Sequence, residues 1–241
     1  DEQLREAYEE SGKRVMHLQK AVEGYDLFVR CVGIGPQIRY VDYDPRAPLH
    51  DRYRVRTNFL SEDHRSRLRA TTLTINSFFG WDFNSAEILR RGDAVFPIDF
   101  ANACPDSQVT SLHYHFPWLV KALLRWSIFV AVTKRPFRHN PDWVPFFGVA
   151  DDASVSDKLS AYGALAETHF ETERFEAFCH EHLGHLDEIA YEFFGTDAAR
   201  DAVHQKVKAL YPEHEVDGFT DLFMDRIEQW RKDEGHLTGV L

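Results

Sequence analysis

The chain is poor in cysteine. Only Cys31, Cys104 and Cys179 occur in its 241 residues, and none forms a C-x-x-C pair. An odd, scattered set argues against a disulfide framework and against a cysteine-held structural zinc, and it suits the reduced thiols of a cytoplasmic protein. An excess of basic charge is also missing: 28 Lys and Arg stand against 39 Asp and Glu, a net charge of −11. A surface of that sign repels polyanions, and no basic stripe or RNA-binding motif relieves it, so nucleic acid is not an expected partner. An unbroken apolar run is lacking too. The most apolar stretch, 116–132, is interrupted by Lys121 and Arg125, which reads as a buried helix and not a membrane span. Internal repeats, low-complexity tracts and a signal peptide are not seen. The chain begins with Asp1 and not Met, and its first residues read as the middle of a domain, so a piece of a longer protein is expected.

What is present suffices for a core: 44% of residues are hydrophobic, enough for one large domain or two modest ones. Residues 2–11 have the pattern of a short amphipathic helix stopped by Gly12. Strands are expected at 14–22, 27–32 and 37–43, an antiparallel meander turning at Glu23-Gly24-Tyr25-Asp26 and at Gly33-Ile34-Gly35-Pro36. Residues 44–59 read as loop with some extended backbone. Ser61 is positioned to cap a helix running to Phe79, with Glu62 and Asp63 in the first turn, where the helix dipole favours acids, and Gly80 at its end.

The stretch that organises the chain is DFNSAEILRRGDAVFPIDFANACPD, residues 82–106. Two strand-like runs flank Gly92-Asp93, a pair suited to a tight reversal. A two-residue loop pairs position i with 185 − i and mixes acids with apolar groups on both faces. An odd loop pairs i with 184 − i; Ala86 and Ile88 then meet Ile98 and Phe96 on a dry face with Phe100, while Glu87 and Asp99 share the other. The tidier burial therefore brings two carboxylates together, which costs repulsion unless a cation lies between them. With Asn102 adding a neutral oxygen after a bulge, oxygen-only ligation of this kind suits Mg²⁺. Acids on a solvated hairpin face are the plainer reading of the same spacing.

Further on, 116–133 is apolar nearly all round, 134–155 is a proline-rich irregular connection, and the remainder is helical. Phe175, Phe178, Cys179, His182, Leu183, Leu186, Ile189, Ala190 and Phe193 keep three-four spacing to Gly195; Thr196 caps the next helix; Phe219, Leu222, Phe223, Ile227 and Trp230 form a final stripe. His180, Glu181, His182 and His185 invite a zinc reading, but His182 falls on the apolar stripe and the others do not converge with it. His113 and His115, just past the hairpin, are read as loop residues or as a substrate contact. Cys104 reads as a small buried residue, since nothing pairs it with a base.

The segments VMHLQKAVEGYDLFVRCVGIG, RYVDYDP and EILRRGDAVFPIDFANACPD resemble the C-terminal part of the ATP-grasp fold, in the glutathione-synthase-like or carboxylate–amine ligase branch. The likeness covers roughly 1–133. It implies an α+β fold there, an antiparallel sheet with packed helices forming a C-terminal ATP-grasp lobe at 1–135; the residue pattern beyond it gives a connection at 136–155 and an all-helical appendage at 156–241. The likeness further implies ATP and Mg²⁺ as cofactors, with Glu87, Asp99 and Asn102 as metal ligands. Gln19, Lys20, Ala21 and Val22 would be the adenine-holding hinge, Asp26 the ribose acid, and Arg30 the catalytic cation on phosphate or substrate carboxylate. The activity implied is the joining of a small-molecule or peptide carboxylate to an amine through an acyl phosphate; a homo-oligomer is left open and no membrane partner is expected. The family's metal strand usually has one residue between its last acid and Asn, whereas two separate Asp99 from Asn102, so a bulge is required. The Lys- and Gly-rich flap strand and the substrate domain that precede the hinge in a complete ligase are not found in this sequence. A degenerate module that binds or scaffolds without catalysis is the alternative.

Overall fold

The computed structural model describes residues 2–12, 14, 15, 18–136 and 142–234. Its centre is a five-stranded antiparallel sheet in the order β3-β2-β1-β4-β5. These strands are β1 (Leu27–Ile34), β2 (Gln37–Tyr43), β3 (Tyr53–Arg54), β4 (Phe83–Arg91) and β5 (Ala94–Asp99). Every residue of β1 is buried, because it is flanked by β2 and β4 and covered on both faces. The reversal from β1 to β2 passes through Gly35 at φ +54°. A Cβ there would lie 2.4 Å from the Trp126 ring, so backbone and indole approach as only glycine permits.

One face of the sheet is covered by α2 (Glu62–Phe79). The Ser61 hydroxyl accepts from the His64 N–H at its start, and Gly80 in the left-handed region ends it, as its composition predicts. Leu68 of α2 packs with Val29, Cys31, Ala86 and Ile88. Here Gly33 leaves room for the Asn76 amide, and burial pushes the Cys31 thiol up to about 12. The other face carries Val32, Ile34, Val41 and Tyr53. Against it lies α4 (Phe116–Thr133), which the short α3 (Val109–Leu112) precedes; α4 contributes Leu119, Ala122, Trp126 and Phe129. The stretch Val109–Thr133 is, by length and composition alone, apolar enough to cross a membrane; in the fold α4 is a core helix.

The helical region continues as α5 (Val144–Phe147), α6 (Val155–Phe170), α7 (Thr172–His182), α8 (Leu186–Phe193), α9 (Asp197–Lys208) and α10 (Val216–Asp233). It shares its packing with the sheet: Phe170, Phe175 and Cys179 join the core of Val32 and Ile34, and α6 lies along α2 with Gly163 against Ala70. A second cluster joins α9 and α10 through Val203, Val207, Phe223, Ile227 and Trp230, with Val109 and Tyr114 from the segment leading into α4.

Four expectations are corrected. The described residues of 14–22 form no strand: they carry no ladder, Val15 and Leu18 are 93% and 71% exposed, and the edge strand β5 is met at Ile98 only by the side chain of Gln19. α1 (Glu2–Glu10), which precedes them, forms as expected but buries none of its residues. The single helix expected over 175–193 breaks at Leu183-Gly184-His185 into α7 and α8, leaving His182, Ile189 and Phe193 exposed. Cys104 is exposed, not buried. The dry face of the β4–β5 hairpin also differs: Phe96 lies opposite Leu89, and Pro97, not Phe96, faces Ile88.

Candidate functional site

That last difference builds the site. The hairpin turns through the two-residue Gly92-Asp93 loop, with Gly92 at φ +59°, so Arg91 pairs with Ala94 and Ile88 with Pro97. That register is the one that would mix acids and apolar groups. A bulge then intervenes between the Ile88 and Glu87 pairs, leaving Ile98 as the extra residue, and Glu87 comes directly opposite Asp99. Proline at 97 suits the location, since an edge strand beside a bulge leaves its missing N–H without consequence. The two acids share a face as expected, but by a two-residue turn plus a bulge and not by an odd loop. Directly opposed Cβ atoms lie about 4.5–5.5 Å apart, within reach of one ion.

Arg30 of β1 is opposite Glu87 on its other side, so the row across the sheet reads Val41, Arg30, Glu87, Asp99. Arg30 is only 6% exposed. Its Nε donates to Ser85 Oγ at 3.1 Å, an Nη donates to the Tyr53 hydroxyl, and its guanidinium lies 5.2 Å from the Tyr53 ring centre. These contacts fix its plane while its charge favours the ionised form of Glu87. Burial outweighs that help and, with the Asp99 charge, holds the Glu87 carboxyl above the usual glutamate range. Burial likewise raises the Tyr53 phenol, with Asp106 and Glu87 among the charges acting in the same direction.

Asn102 is drawn to this corner by a small network. Its backbone N–H donates to Asn84 Oδ1 at 3.0 Å, its Nδ2 donates to Ser85 Oγ at 3.3 Å, and its own carbonyl accepts from the Ser85 N–H at 3.3 Å. Asn84 is in turn held by Asn76 Oδ1 at 2.7 Å and by Phe100 O at 3.1 Å. Ser85 thus links Arg30 to Asn102. The Asn102 side-chain oxygen accepts no hydrogen bond among the described residues. Two carboxylates and one amide oxygen can hold a hard cation that keeps water or phosphate oxygens in its other positions. Among the described residues no three His, Cys, Asp or Glu side chains gather as a metal group.

The remaining candidates divide. Gln19 reaches the bulge, its Nε2 donating to Ile98 O at 3.3 Å, while Lys20 and Ala21 are exposed and Val22 half-buried. Asp26 is spoken for: Arg90 Nε donates to it at 3.0 Å, and that bond holds its carboxyl below the usual range. Of the histidines, His115 is buried between Arg39 Nε at 3.2 Å and the Arg54 carbonyl, and burial with the Arg39 charge keeps its ring neutral. His113 is buried against Phe223 and its pKa falls to about 4. Neither is presented to the hairpin as a loop contact would be. Of His180, Glu181, His182 and His185, the first three end α7 and His185 stands beyond the break at the start of α8.

One charged cluster was not read from the sequence. Lys121 Nζ and an Arg125 Nη donate to the two oxygens of Asp187 at 2.7 and 2.9 Å, and all three side chains are nearly buried. Cations four residues apart on one apolar helix signal a buried acid elsewhere, although the spacing does not say which. No family model matches this chain, and no curated protein or solved structure matches it.

Proposed function

We propose that residues 19–106 form the Mg²⁺–nucleotide corner of an ATP-dependent carboxylate–amine ligase of the ATP-grasp kind. The observation that carries the reading is the bulge at Ile98, which sets Glu87 against Asp99 beside a buried Arg30, two carboxylates for one base, so that one negative charge is left for a bound cation. In this reading Glu87, Asp99 and the Asn102 amide oxygen hold Mg²⁺, whose role is to bridge phosphate oxygens and offset charge that develops during phosphoryl transfer. Arg30, fixed by Ser85 and Tyr53, supplies a desolvated positive charge next to the transferring group. The carboxylate substrate would be activated as an acyl phosphate and the amine would displace phosphate. Gln19–Val22, tethered at Gln19 to the bulge, would lie along the adenine. Asp26 is withdrawn from ribose by Arg90 and would have to exchange that partner to serve.

That last point favours a second reading: a degenerate module that associates without turnover. The two separate in one experiment on the full-length gene product. Under the ligase reading MgATP raises the melting temperature, Glu87→Gln with Asp99→Asn removes the rise, and ADP appears only when carboxylate and amine are both supplied. Melting that is indifferent to MgATP, with no ADP released, overturns the ligase reading in favour of the second.

A further inference from the structure

A separate cleft opens on the far edge of the sheet. β3 pairs with β2 only at Asp42 and Tyr43, so among the described residues the outer edge of β2 over 37–41 has no strand beside it, and α2 and α4 flank it from the two faces. Two adjoining hollows of about 430 and 690 Å³ occupy that edge and share Ile38, Tyr40, Arg65, Trp118 and Arg125.

The charge there is not balanced from within. Asp187 is a single carboxylate for both Lys121 and Arg125, so one positive charge is left over. Arg125 is 9% exposed and its Nε is buried with no hydrogen-bond partner among the described residues. Arg65, half-buried at the junction of the hollows, joins no ion pair among the described residues, whereas its neighbour Arg69 is committed to Glu167 and to the Pro36 carbonyl. The other acids lining the hollows are either exposed, as Glu62, Glu176 and Asp233 are, or committed, as Glu234 is to Arg39, so the surplus lies in the buried part of the cleft. In a chain of net charge −11 a half-desolvated surplus of guanidinium is a costly arrangement, and a bound oxyanion would relieve it.

We propose that this cleft binds a small organic anion, a carboxylate or phosphate monoester on a flat apolar body. Arg65 and Arg125 take the head group, and Trp118 and Tyr40 lie against the body. The site is independent of the ligase reading: β2 is two strands from β4, about 10 Å across the sheet.

The test titrates phenyl phosphate, and separately benzoate, into the full chain at constant ionic strength, following tryptophan emission and the melting temperature with sodium chloride as control. Saturable binding of one or both is expected, and the tighter of the two identifies the head group. Arg65→Ala should weaken it about tenfold or more, the loss of one charge-assisted contact. Trp118→Phe should remove the emission change yet keep the melting shift, and Arg200→Ala, at an exposed arginine outside the cleft, should alter neither. Arg65 is only half-buried, so its variant should fold, which circular dichroism checks. Failure of both probes to bind, equal shifts with chloride, or unchanged affinity in Arg65→Ala overturns the proposal.

Discussion

Two clusters in this molecule are mirror images in charge. In the hairpin, two acids, Glu87 and Asp99, adjoin one base, Arg30; beneath α4, two bases, Lys121 and Arg125, close on one acid, Asp187. They differ in what completes them. Asp187 is 3% exposed and touches both its partners, so that cluster is internal and fixed. The hairpin acids face outward, Asp99 exposed and Glu87 half-buried, and Arg30 spends its hydrogen bonds on Ser85 and Tyr53 instead of on either carboxylate. The first arrangement ties α4 to α8 by direct contact and leaves one positive charge toward the cleft; the second leaves one negative charge, with no contact between base and acid, to be met from solution.

The comparison is broken most severely at Asp187. Asp187→Ala strands two buried cations and should cost about 3–5 kcal/mol of stability in urea unfolding. Replacing Lys121, Arg125 and Asp187 together by apolar residues of similar volume should recover most of that loss. A small effect for the single variant would mean that the triad is hydrated. Arg30→Ala comes next, at about 2–3 kcal/mol, because it removes charged hydrogen bonds to two partners, one of them the buried Tyr53 hydroxyl. It should also push the Glu87 carboxyl higher still, since the charge that favours its ionised form is gone.

The smallest effects carry the opposite sign. Glu87→Gln and Asp99→Asn should each stabilise the metal-free protein by up to about 1 kcal/mol, the first chiefly because it removes a desolvated carboxylate and the second because directly opposed like charges repel, whereas Asp187→Ala destabilises. The pH dependence follows the same logic. Glu87 titrates higher folded than unfolded, so the folded state holds its proton longer and stability from this group falls as pH rises from the ordinary glutamate range through the raised folded value. Glu87→Gln should flatten that part of a stability–pH curve, and saturating Mg²⁺ should do the same to the unmodified protein.

Much of the fold was legible because its signals are local. Ser61 and Gly80 bound α2, the strand pattern of 37–43 gives β2, and the all-round apolar character of 116–133 gives a core helix. Signals failed where the decision is made by distant residues. The alternation over 14–22 suggests a strand, but the segment meets the edge strand β5 through the Gln19 side chain and not through a backbone ladder. Three-four spacing ran on through Gly184, yet the chain breaks there so that Leu183 and Leu186 can both be buried. For the site, the shared face of the two acids was expected from a register the strands do not adopt, and the bulge that sets them opposite was not legible: an extra residue at Ile98 is a property of the paired strands. Lys121 and Arg125 were visible as interruptions of an apolar run, but their partner lies more than sixty residues away.

The most direct measurement is an NMR titration of the Glu87 side-chain carboxyl in the full-length gene product, without divalent ion and with MgATP. The proposed role requires a midpoint above that of an ordinary glutamate in the free protein and a marked fall when MgATP binds, with no fall in Asp99→Asn. A midpoint in the ordinary range that MgATP leaves unmoved would contradict it.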